Sequence, residues 1–80
     1  MFINKAKDGK NNLCGAKVAA FRMEMHISQR ELADRLQLQG LDVDKNAIQR
    51  IECGKRFVTD IELKALTKVL NTTYDVLLHE

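Results

Sequence analysis

Apolar side chains in this chain recur at intervals of three and four residues rather than two, and that periodicity constrains it to helices. Cys14, Val18, Phe21 and Met25 stand four, three and four residues apart, tracing one helical face. Leu32, Ala33 and Leu36 mark a second inward stripe, and Ala47, Ile48 and Ile51 a third. Leu63, Leu66, Val69 and Leu70 mark a fourth, and Tyr74, Leu77 and Leu78 a short fifth. With no proline and only four glycines, the 80 residues lack the turn chemistry that a sandwich or small barrel requires.

The boundaries between the stripes carry start and stop signals. Ser28 and Glu31 have capping-box spacing, in which the hydroxyl accepts from the Glu31 amide and the carboxylate accepts from the Ser28 amide. Asp44 is a good N-cap for a helix from Lys45 to Cys53, closed by Gly54 in a left-handed turn. Thr59 and Glu62 repeat the capping box, and Asn71 suits the left-handed end of the fourth helix. Thr72 or Thr73 starts the fifth. The expected fold is all-α: a compact five-helix bundle over residues 13–80. Residues 1–12, with Lys5, Lys7 and Lys10 and no periodicity, read as a mobile N-terminal arm.

Composition excludes several classes. The polar start lacks an apolar leader segment, and no apolar run approaches the ~20 residues of a membrane span, so a cytoplasmic protein without a membrane partner is expected. Cys14 and Cys53 form no CxxC unit and have no ligands at metal spacing, so neither metal nor cofactor is expected. Reduced thiols at two helical positions are the favoured reading, with a disulfide left open. His26 and His79 lie in different helices, Glu31 and Asp34 look like one solvated face, and no glycine-rich phosphate loop is present. No catalytic constellation emerges, and an enzyme is not expected.

Charge is distributed unevenly. Residues 1–56 hold eleven Lys/Arg against seven Asp/Glu, while residues 57–80 hold two against four. A basic front and an acidic tail suit a protein that meets a polyanion with one face, although scattered solvated charges would give the same count. The third helix is more informative. Opposite its apolar stripe stand Lys45, Asn46, Gln49 and Arg50, followed by Lys55 and Arg56. Arg and Lys donate to guanine O6 and N7, and Asn and Gln pair with adenine N6 and N7. A solvated helix face is polar in any case, so this feature alone decides nothing.

The order of the segments is specific. SQRELADRL, a turn, and NAIQRIECGKR together resemble the Cro and phage-repressor type of helix-turn-helix, through Ser28, Gln29, Leu32, Ala33, Leu36, Ile48, Ile51, Glu52, Gly54, Lys55 and Arg56. The likeness runs from about residue 13 to 78. It implies a lambda-repressor-like domain that binds double-stranded operator DNA as a transcriptional regulator, a repressor acting as a homodimer. It also implies base contacts from Lys45, Asn46, Gln49 and Arg50, and phosphate contacts from Ser28, Gln29, Lys55 and Arg56. Arg22 and Glu52 fall where the family often places an ion pair between the first and third helices. The alternative is a protein-interaction module, such as an antitoxin or anti-repressor component with a protein partner. A structural bundle within a larger assembly is a third reading.

One departure stands out. The span from Leu36 to Ile48 is longer than the family's turn by about five residues. The added QLQGLDV extends the second helix or forms a loop, with Leu38, Leu41 and Val43 expected to pack beneath it.

Overall fold

A computed structural model describes Ala6 and residues 8–79. Among the described residues the only regular elements are helices: α1 (Gly15–Glu24), α2 (Gln29–Leu38), α3 (Lys45–Glu52), α4 (Asp60–Val69) and α5 (Tyr74–Leu78). The all-α, five-helix expectation holds. α3 packs on both α1 and α2, α2 packs on α4, and α4 packs on α5.

The starts of α2 to α5 are set by side-chain caps. Ser28 accepts from the Glu31 amide at 3.0 Å, Asp44 from the Ala47 amide at 2.8 Å, and Thr73 from the Val76 amide at 3.3 Å. Thr59 and Glu62 form the full reciprocal box, at 3.2 and 3.0 Å. At α2 only half of the expected box forms. The Glu31 carboxylate turns along the helix to Arg35, 3.1 Å away, because an exposed (i, i+4) cation competes with the return bond to Ser28.

Stops follow one design. α1 to α4 each end in a left-handed residue: His26 (φ 58°), Gly40 (86°), Gly54 (81°) and Asn71 (53°). Behind each, a six-residue bond closes the turn: Ile27 to Arg22 O, Leu41 to Leu36 O, Lys55 to Arg50 O and Thr72 to Thr67 O. The left-handed residue's own amide bonds three residues back in every case, which makes four Schellman motifs. Each motif ends its helix within two residues, and the short helices pack around one core.

That core is aliphatic. Val18, Leu32, Leu36, Ile48, Ile51, Leu66 and Leu77 are fully buried, drawn from all five helices. Each such side chain contributes about 1.5–3 kcal/mol by leaving water. Cys14 is buried among them, whereas Cys53 is exposed, and both are free thiols. In the lengthened turn Val43 is buried and Leu41 half-buried, and the Gln37 amide donates to Val43 O at 2.8 Å. Leu38 does not join them. It is 85% exposed, since α2 runs on for two residues past Leu36 and carries Leu38 around to the outer face.

The segment expected as a mobile arm meets the domain at its end. Asn11 N donates to Gly54 O at 2.7 Å and Asn11 Nδ2 to Lys55 O at 2.9 Å, strapping this stretch along the chain that leaves α3. The Lys10 stem lies over Gly54, where an added Cβ would come within 2.6 Å of Lys10 Cδ. Lys5 and Lys7 lie outside the described residues.

Candidate nucleic-acid interface

α3 is divided lengthwise. Ala47, Ile48 and Ile51 are buried, and Lys45, Asn46, Gln49 and Arg50 are all exposed on the opposite side. Residues three and four apart share a helical face, so the four polar side chains form one outward stripe over residues 45–50. It offers two cations and two amides, the donor and acceptor set that base edges present partners for.

The stripe is braced from behind. Arg22 Nε donates to Glu52 Oε2 at 2.7 Å and Arg22 Nη2 to Glu52 Oε1 at 3.1 Å, joining α1 to the last residue of α3. Arg22 Nη1 also reaches Ile27 O at 2.9 Å, at the joint before α2. The Glu52 hydrogen bond, outweighing burial, holds Arg22 above its ordinary pKa and keeps it charged. Gln29, at the start of α2, donates from Nε2 to Glu52 Oε1 at 3.0 Å. One carboxylate therefore gathers three helices.

This assigns Gln29 a second job. One amide hydrogen is directed inward to Glu52, so the side chain expected to hold phosphate also locks α2 to α3. Ser28 is exposed beside it, its hydroxyl occupied as a cap. The first backbone amides of α2, which no helical carbonyl reaches, sit at the same end.

Beyond α3 the two neighbouring cations part. Lys55 is exposed. Arg56 turns back, with Nη2 donating to Glu62 Oε2 at 2.6 Å and Nε buried without a partner. Glu62 is itself buried, and its other oxygen caps α4 through the Thr59 amide. Arg56 thus links the post-α3 loop to α4 through Glu62, with the same side chain that was expected to contact phosphate. Burial would raise the pKa of Glu62, but the hydrogen bonds from Arg56 and Thr59 outweigh it and keep the carboxyl below its usual range.

His26 and His79 are exposed at separate helix ends, and among the described residues no cluster of three or more His, Cys, Asp or Glu side chains converges as a metal site would. Among the described residues no helix is long and apolar enough to cross a membrane. Sequence reasoning missed Asn12. Its carboxamide touches Gly15 N, Ile51 O and Arg56 O, and the available signal was an Asn three residues ahead of a helical Gly, an N-cap spacing.

Comparison with known families gives one finding: a family model described as helix-turn-helix matches residues 18–77, three-quarters of the chain, from within α1 to within α5. No curated protein and no solved structure matches.

Proposed function

The chain belongs to the Cro and phage-repressor type of helix-turn-helix proteins, a family of DNA-binding regulators, and on that premise we propose that it is a sequence-specific repressor reading operator DNA through the major groove with α3. The observation that carries the reading is the outward stripe of Lys45, Asn46, Gln49 and Arg50 on a helix braced to two others through Glu52. A helix fits the major groove, and base discrimination needs donors held in fixed register. Ser28, Gln29 and the first amides of α2 meet one phosphate strand, and Lys55 meets phosphate on the far side of α3. No catalytic step belongs to this reading, and the protein works in the cytoplasm beside the DNA it controls.

Two copies bind a two-fold operator with their reading helices roughly 34 Å apart. Exposed apolar side chains at the other end of the domain, Ile61, Tyr74, Val76 and Leu78, support pairing of the copies there.

Selection of bound duplexes from a randomised pool, followed by anisotropy titration over a range of salt, tests the proposal. The expected product is a palindrome or half-site whose affinity falls steeply with salt. A folded sample that binds no duplex at low salt overturns it.

A further inference from the structure

Among the described residues, Asn12 holds the C-terminal end of α3 from outside α1 and α2, and both hydrogens of its carboxamide are used. Nδ2 donates to Ile51 O in the last turn of α3 at 3.1 Å and to Arg56 O in the following loop at 2.7 Å. Oδ1 accepts from Gly15 N at 2.8 Å. The contacts span 39 and 44 residues of sequence, so they join parts of the chain that nothing local brings together. Gly15 shows how closely. A Cβ built there would lie 2.1 Å from Ile51 O, so the backbone of α1 rests directly on the end of α3. Asn11 adds two bonds to the same loop, at Gly54 O and Lys55 O.

Resting on the proposed DNA reading, we infer that Asn12 is a positioning residue for sequence discrimination: it fixes the register between the base-reading stripe of α3 and the phosphate-facing Lys55. Lys55 lies between the two carbonyls that Asn12 holds. Loss of the clamp frees the last turn of α3 and the loop to move separately. Phosphate contacts tolerate such movement, because the backbone offers a charge at every step. Base contacts do not, because their donors must meet particular edge atoms. The penalty therefore falls on the preferred site and spares unrelated DNA.

Two variants separate clamping from capping. Asn12→Ser keeps a side-chain oxygen that can accept from the Gly15 amide, but cannot span to Ile51 O and Arg56 O. Asn12→Ala loses both. The experiment measures thermal stability, and the ratio of affinities for the selected duplex and a scrambled duplex at one salt concentration. Both variants are expected to lose about three- to tenfold in that ratio, the size of one or two hydrogen bonds, with Asn12→Ser keeping stability closer to the parent than Asn12→Ala does. A destabilised variant with fewer active molecules changes both affinities together and leaves the ratio alone. If the parent discriminates and Asn12→Ser discriminates equally well, the positioning role is overturned while the DNA reading stands. If the parent itself shows a ratio of one, the DNA reading is overturned and the inference goes with it.

Discussion

Arg22 and Glu52 meet through two parallel hydrogen bonds, 2.7 and 3.1 Å long, across 30 residues of sequence. Their side chains are only 15% and 8% exposed. A fork-on-carboxylate contact of this kind fixes angle as well as distance. Since Glu52 ends α3, the tilt of α3 against α1 is set there.

Removing one partner leaves the other charge buried and unmatched. Arg22→Ala is expected to lower unfolding free energy by about 3 kcal/mol in urea titrations. Arg22→Lys keeps the charge but not the fork, and is expected to recover only part of the loss. Full recovery would show that charge alone matters at this joint.

Gly15→Ala adds a single methyl group 2.1 Å from a backbone carbonyl. Alanine normally favours a helix over glycine, by about 1 kcal/mol. Here the sign reverses, because neither α1 nor the end of α3 can yield without disturbing the core, and a loss of about 1–3 kcal/mol is expected. Thermal melts of the two proteins decide it, and an unchanged or raised midpoint would refute the close approach.

Lys55 and Arg56 are adjacent cations with different expected phenotypes. Lys55→Ala should lower the salt slope of DNA binding by about one and leave stability alone. Arg56→Ala should leave the slope nearly unchanged but cost about 2 kcal/mol of stability, because Glu62 is left buried without its partner. Salt titrations and urea melts on both variants test the pair, and a lowered slope for Arg56→Ala would return it to the phosphate contacts.

Glu62 makes stability sensitive to acid. Its pKa is held below the usual 4.5 by Arg56 and Thr59 despite burial. A carboxyl depressed in the folded state contributes fully above the unfolded-state pKa, and the contribution disappears as pH falls through the folded-state value. Stability is therefore expected to fall more steeply below about pH 4.5 in the parent than in Glu62→Gln, whose amide does not titrate. Urea melts of both proteins on either side of that pH check the difference, and parallel curves would remove Glu62 as a source.

Much of this architecture was legible in the sequence because its determinants are local. Apolar spacing located every helix, and Ser28, Asp44, Thr59, Gly54 and Asn71 marked boundaries within a residue or two. The outward stripe of α3 followed from helical geometry alone. What stayed hidden depends on partners distant in sequence. Asn12 binds two backbone carbonyls, and a carbonyl leaves no mark on residue identity, so the segment read as an arm. Lys55 and Arg56 look interchangeable as a charge pair, and only the folded placement of Glu62 separates them. Leu38 read as packing inward because apolar spacing left a longer second helix and a loop both open, and only the helix carries Leu38 to the outer face.

The two thiols differ in accessibility, and that difference makes the native chain a reporter of its own motions. Cys53 sits exposed one residue beyond α3, while Cys14 is buried and its burial pushes the thiol's pKa up. A thiol reagent added to the folded protein should modify Cys53 promptly and place a label at the end of α3 without mutagenesis. Cys14 should react only when the core opens. Its slower modification therefore acts as a clock, timing how often α1 and α3 part company while the protein is nominally folded.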